Sequence, residues 1–481
     1  MAGIGFELKK IYRKDGISRT LLGAVYSTLV TIGPTILIIT VILALYIFLD
    51  MTAVDMAERE LLSSTILYIF IFSVCLTSPF NSVFSRYLAD KFYEEDFDNI
   101  LPSYYSGILL VSVLAMIMCI PVMLSLYFLG NIELPYIIGA FVMWASAVII
   151  FFTVTYLHAT KDYKIIAAFF AIALAVGALV AVVLYFLVGA SQIYAILYGL
   201  ATAFFIVAFC EFSYVRFYFK RGGTNYTECI KYLWIHRGIF LTNFFYILGL
   251  YVHNFVFWTT TQHLIVAETY YSHMNYDMAT CLAMFTNISA TVIFTVIAET
   301  HFHETYQHYM EAVIGGTYRT IQKNKTIMFR TLSMQLGQIF ATQVAITCVI
   351  FMILVLFGQQ IGFTATTMRM YPVLAAGFLG VFLMYCNIVY LYYFEDSFDS
   401  AMGAFIFFIA TLVGAIFAAY FLPVELCGLG LFFGMACGWT YTYFRTRHLE
   451  RNFEAHIFCR YKIIDTYKSS PKGKIVYKKE A

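Results

Sequence analysis

From residue 20 onward the chain alternates between long apolar runs and short polar connections. Runs lie near 20–49, 61–85, 102–129, 135–157, 165–188, 192–215, 238–260, 278–298, 327–357, 370–393, 401–421 and 425–444. Each is close to the roughly 20 residues that cross about 30 Å of hydrocarbon. The runs are continuous and do not alternate in polarity, which predicts helices and not barrel strands. The pattern therefore predicts an all-α polytopic membrane protein of about twelve transmembrane helices.

Composition agrees: 61% of the 481 residues are hydrophobic and 12% are charged, against about 25% charged in a soluble domain. The formal net charge of +2 carries little information, but the placement of the bases does. With twelve spans, one side collects Lys9, Lys10, Arg13, Lys14 and Arg19, then Arg86, Lys91, Lys161 and Lys164. The same side takes the bases of 216–237, of 319–330 and of the tail from Arg445 to Lys479, whereas the other keeps Arg59 and Arg369. Both termini are accordingly expected in the cytoplasm. The start is read as a retained first span and not as a cleaved signal. Ile4, Leu8, Ile11 and Tyr12 share one helical face, so residues 1–19 form either an interfacial helix or a topology-setting basic segment. The longest basic connection falls near the middle of the chain, which divides it into a first six-helix bundle (20–216), a linker (217–237), a second bundle (238–444) and a basic tail (445–481).

Polar residues inside apolar runs are the best pointers to function. The expected substrate path comprises Asn81, Asn243, His253, Asn254, Trp258, Asn287, Gln335, Gln338, Gln343 and Asn387. Charges expected at gates or mouths are Arg86, Glu211 and Arg369, and expected hinges are Gly33 with Pro34, and Pro79. Pro79 removes a backbone donor from span 2, and the kink there is expected to turn Asn81 toward a central pathway before a charged hinge at 86–98. Neutral amides dominate and no carboxylate is expected at mid-depth. That favours an uncharged, hydroxyl-rich ligand, because amides hydrogen-bond to sugars and aromatic faces cover their C–H surfaces. The alternative is that single Asn and Gln residues join helices, worth about 0.6 kcal/mol each.

Catalytic signatures are missing: the chain has no G-x-x-x-x-G-K-[ST] and no kinase set. It is not expected to be an enzyme. Ten scattered cysteines without a C-x-x-C pair, and His301, His303 and His308 without metal-site spacing, lead to no expected metal or cofactor.

The start "MAGIGFELKK", the block "TSPFNSVFSRYLADKFYEEDFDNILPS", the "HNFVFW" of span 7 and "ETYQHYMEAVIGG" resemble the PelG family of exopolysaccharide transporters. The resemblance extends over nearly the whole length, and the family is related to the multidrug/oligosaccharidyl-lipid/polysaccharide flippase superfamily. It implies two six-helix bundles around a central cavity. It also implies transport of an N-acetylgalactosamine-rich polymer from a PelF-like cytoplasmic glycosyltransferase across the bacterial plasma membrane, with PelD- and PelE-like membrane subunits as partners. Membrane lipids and the polysaccharide are further expected partners, and nucleic acid is not. The family supplies no catalytic motif to carry over. An ion-coupled drug or lipid-linked oligosaccharide flippase and a non-transporting synthase scaffold are the competing readings.

Overall fold

The computed structural model describes residues 37–458 apart from 161, 221, 261–262, 298–301 and 362. Gly33, Pro34, His301, the N-terminal basic segment and the tail beyond 458 lie outside the described residues. The helices are α1 (Leu37–Phe48), α2 (Met56–Tyr93), α3 (Ile100–Phe128), α4 (Leu134–Thr160), α5 (Tyr163–Val183) and α6 (Gln192–Tyr218). A short α7 (Glu228–Ile235) and α8 (Arg237–Trp258) lead to the strands β1 (Leu264–Val266) and β2 (Tyr270–Ser272). Then follow α9 (Met274–Ile297), α10 (His303–Gly315), α11 (Tyr318–Ile361), α12 (Ala365–Tyr393), α13 (Ser397–Phe421), α14 (Leu429–Arg451) and α15 (Phe453–Phe458). Among the described residues, ten helices are long and apolar enough to cross a bilayer. The chain is a multi-pass membrane protein.

The all-α expectation needs one correction, the antiparallel hairpin β1–β2, in which Val266 pairs with Tyr270 and Leu264 with Ser272. Its turn places Ala267 and Glu268 at φ 48° and 49°. Asn or Gly usually fills such left-handed positions, and neither stands here, so the hairpin has no turn signature in the residues. The expected run at 278–298 also starts earlier, at Met274, and thereby takes Asp277 into the first turn of α9.

Helix packing repeats along the chain. In the first half α2 packs on α3 and α4, α4 on α3 and α6, and α5 on α6. In the second half α9 packs on α11 and α12, α12 on α11 and α14, and α13 on α14. Each partnership thus recurs with α9, α11, α12, α13 and α14 replacing α2, α3, α4, α5 and α6. The α5–α6 and α13–α14 crossings even use the same device. A Cβ on Gly177 would lie 2.4 Å from the Gly199 carbonyl oxygen, and one on Gly430 would lie 2.6 Å from the Ala415 backbone. Only hydrogen fits there, so the backbones approach closely, as small residues permit in membranes.

Two helices outrun the bilayer. α2 has 38 residues and α11 has 44, about 57 and 66 Å at 1.5 Å per residue. Both extend at the end where the bases gather, here termed the basic end. There α10, the start of α11, the end of α14 and α15 close over a separate core of Phe302, Tyr309, Phe329, Phe394 and Phe453.

Candidate functional site: the seam between the halves

The two halves meet along α2 and α8. Apolar positions spaced by four residues on α2 put one ring after another on this face. Tyr68 stacks on Trp258 with centroids 4.8 Å apart and planes 9° apart; Phe72 stacks on Phe255 at 5.7 Å and 4°. Nearer the basic end Phe80 meets Phe240 edge to face at 5.1 Å. The ladder from Tyr68 to Phe80 runs for about 18 Å. Each such pair is worth about 0.5–1.5 kcal/mol beyond its buried area.

The hairpin closes the end opposite the bases. Val266 and Tyr270 belong to the second half in sequence but are buried in the core of the first, at 6% and 1% exposure. Tyr68 Oη donates to the Tyr271 carbonyl at 2.8 Å and accepts from the Tyr271 N–H at 2.9 Å, so one side chain is bonded to the strand's backbone on both counts. The Ser125 and Thr269 hydroxyls are 3.0 Å apart. Gly130 lets the turn sit close, since a Cβ there would be 2.5 Å from the Ala267 carbonyl oxygen. Burying an apolar side chain of this size contributes about 1.5–3 kcal/mol.

A lighter closure operates at the basic end. Arg86 reaches Asp90 on its own helix at 3.3 Å and Glu395 of the second half at 3.4 Å. Both partners of the Arg86–Glu395 pair are more than a third exposed, and such pairs are worth about 0–1 kcal/mol. This ion pair is a weaker tie than the buried hairpin. Glu395 lies in an acidic turn that has a twin. After α2 and after α12 a glutamate adopts a left-handed φ, 58° at Glu95 and 57° at Glu395, and an aspartate follows. Lys91 lies 3.0 Å from Asp96, and Arg445 lies 2.7 Å from Asp396 and 2.9 Å from Asp399. The Asn99 amide and the Lys91 ammonium hold the Asp96 carboxyl below the usual carboxylate range.

Most of the expected path residues are bonded within their own half. Asn81 Nδ2 donates to the Phe151 carbonyl of α4 at 2.7 Å, so it turns into the first half and not toward a central pathway. The helix runs unbroken through Pro79. Asn243 donates to Tyr392 Oη on α12, Asn287 to the Ala375 carbonyl, and Gln343 to the Thr286 carbonyl. Gln335 accepts from Tyr390 Oη at 3.2 Å. His253 Nδ1 is 2.8 Å from Tyr276 Oη. These contacts join helices within one half. Gln338 is exposed on α11. Asn387 is 1% exposed with neither amide atom partnered among the described residues.

No carboxylate was expected at mid-depth, and the two buried ones of note both lie near helix ends. Asp277 is 7% exposed and accepts from Asn254 Nδ2 at 2.7 Å, Trp258 Nε1 at 3.0 Å and the His273 N–H at 2.9 Å. It ties α8 to α9 beneath the hairpin, next to Tyr68. Glu211, expected at a mouth, is fully buried in the first half with neither carboxylate oxygen hydrogen-bonded among the described residues. It lies on a buried face of α6, two turns short of the helix end. Arg369 pairs with Glu425 at 3.3 Å at the hairpin end, exposed and within the second half. A groove of about 520 Å³ between α10 and the start of α11 is lined by Thr305, His308, Glu311, Thr320 and Asn324, away from the seam.

The chain matches the family model "PelG: Putative exopolysaccharide Exporter (EPS-E)" over residues 1–458. No curated protein matches it in sequence. A transporter of the MOP superfamily from Pyrococcus furiosus, described as having a binding pocket of reverse polarity, aligns with TM-score 0.59 at 10% identity, covering 90% of this chain and 96% of that one. An outward-facing multidrug resistance MATE transporter of the same superfamily aligns with TM-score 0.58 at 11% identity, covering 90% and 96%. The eukaryotic MATE transporter AtDTX14 gives 0.55 at 11%, covering 89% and 95%. At these identities the likeness is one of fold, and the repeated helix packing of the two halves accords with it. With the family model covering almost the full length, the chain belongs to the PelG family of exopolysaccharide exporters.

Proposed function

We propose that this chain carries a growing, neutral, N-acetylgalactosamine-rich polysaccharide from a cytoplasmic glycosyltransferase across the bacterial plasma membrane. In this reading twelve spans form two six-helix bundles, both termini and the basic end are cytoplasmic, and the polymer passes between the bundles along the α2–α8 seam. The supporting observation is the aromatic ladder, Tyr68–Trp258, Phe72–Phe255 and Phe80–Phe240. Rings that stack on each other when the seam is closed become faces for sugar rings when it opens. An uncharged polymer needs no counter-charge there, and chain extension by the synthase supplies the drive. Membrane subunits resembling PelD and PelE complete the complex in this reading, with the glycosyltransferase resembling PelF.

One observation favours a second reading, an ion-coupled flippase. Glu211 is buried and has no hydrogen-bond partner among the described residues, the environment in which a carboxylate takes up and gives back a proton. One experiment separates the two. Cells that make the polymer but lack this chain are complemented with wild type or Glu211→Gln, and extracellular polymer is measured with an N-acetylgalactosamine-specific lectin, with membrane levels checked. Export restored by both supports synthesis-driven passage. Export restored by wild type alone, at equal levels, supports ion coupling, and export independent of the chain would overturn both.

A further inference from the structure

The helix between the halves, α7, is apolar on both sides. Cys229, Tyr232, Leu233 and His236 recur at helical spacing and face the protein. The Tyr232 ring meets Tyr87 edge to face at 5.3 Å, and Tyr232 Oη donates to Asp90. The opposite face presents Trp234 at 77% exposure, Ile235 at 72%, Tyr226 at 49% and Ile230 at 41%. A helix that is apolar all round belongs in a core or against lipid, and no described residue covers this second face.

Its depth is fixed by its neighbours. Lys91 at the end of α2 pairs with Glu228 at 2.8 Å. Ser106 in the second turn of α3 donates to the Tyr226 carbonyl at 2.8 Å, and the Gly223 N–H reaches the Asp98 carbonyl. Residues 86–106 are where two spans leave the apolar layer, so α7 lies at the level of the lipid headgroups. Tryptophan and tyrosine favour that level because one end of each ring is apolar and the other polar. Lys231 within α7 and Arg237 just after it are exposed, as is Lys220 before it in the chain, and none has an ion pair among the described residues. Lys220 Nζ instead lies 4.5 Å over the Phe217 ring.

We infer that α7 is an interfacial helix whose Trp234 face is seated in the basic-side leaflet and whose bases hold anionic phospholipid headgroups. The seat has a consequence at the seam. Tyr232, on the buried face, bonds Asp90, which pairs with Arg86, which in turn reaches Glu395. Lipid that fixes α7 therefore fixes the partner of the basic-end closure. The inference is independent of what the seam carries.

The test uses the full chain in nanodiscs of phosphatidylcholine and phosphatidylglycerol. Emission from Trp234 is taken as the difference between wild type and Trp234→Phe, with brominated acyl chains or aqueous acrylamide as quencher. Quenching by brominated lipid with protection from acrylamide is expected. Quenching by acrylamide alone would overturn the inference and leave the face to a protein partner. The combined variant Lys220→Gln, Lys231→Gln and Arg237→Gln, monodisperse on sizing, is then compared for retained phosphatidylglycerol by native mass spectrometry. The expected loss is about fivefold per charge near an anionic surface, and unchanged retention would contradict the anionic part.

Discussion

Asp277 and Glu211 show how much depends on the surroundings of a single carboxylate. Both are buried, but Asp277 has three donors whereas Glu211 has none among the described residues. Burying an ionised carboxylate is tolerable only when hydrogen bonds replace water, so Asp277 acts as the anchor that binds α8 to α9. Replacing Asp277 with Asn leaves Asn254 or the His273 N–H short of an acceptor. The expected loss is about 1.5–3 kcal/mol, the range for a hydrogen bond to a charged group, read as a lower melting temperature of the detergent-solubilised protein. An unchanged melting temperature would remove Asp277 from that role. The sequence contained Asp277 one residue outside an expected span, in a segment with no hairpin signal. Its donors Asn254 and Trp258 were singled out, but as groups free to meet a sugar. What a single sequence does not display is which helix each amide turns toward, and for Asn81, Asn243, Asn287, Gln335 and Gln343 the answer is a neighbour in the same half.

At the scale of elements, the helices were legible because a bilayer admits little else, and their apolar runs and connections follow from that constraint. The repeat in packing was not, since α5–α6 and α13–α14 reach the same close crossing with unlike sequences around Gly177 and Gly430. The paired acidic turns were in plain sight as "EEDFD" and "EDSFD", although only the first was noted, as a charged hinge. The glycine crossing has a direct test. A valine at 430 meets the Ala415 backbone, which has no side chain to swing aside, so α13 and α14 must separate. Gly430→Val is expected to cost about 1–3 kcal/mol, as overpacking does, measured as a lower melting temperature and less protein in the membrane. Wild-type stability would show that the crossing has room.

For the whole molecule, the closures at the two ends differ in kind. The basic end is held by an exposed ion pair that contributes little, and the other by a hairpin of one half buried in the core of its partner. Passage of a polymer along the aromatic ladder requires both to part, and the hairpin is the larger barrier. The most direct measurement is therefore to fasten it. Ser125→Cys with Thr269→Cys replaces two hydroxyls 3.0 Å apart, close enough for a disulfide, with each single variant as control. Extracellular polysaccharide is measured with the bond formed and again after reduction, crosslinking being followed by a mobility shift. Export that stops in the oxidised double variant, returns on reduction and is normal in both singles is the predicted result. Full export with the disulfide formed would contradict passage between the halves.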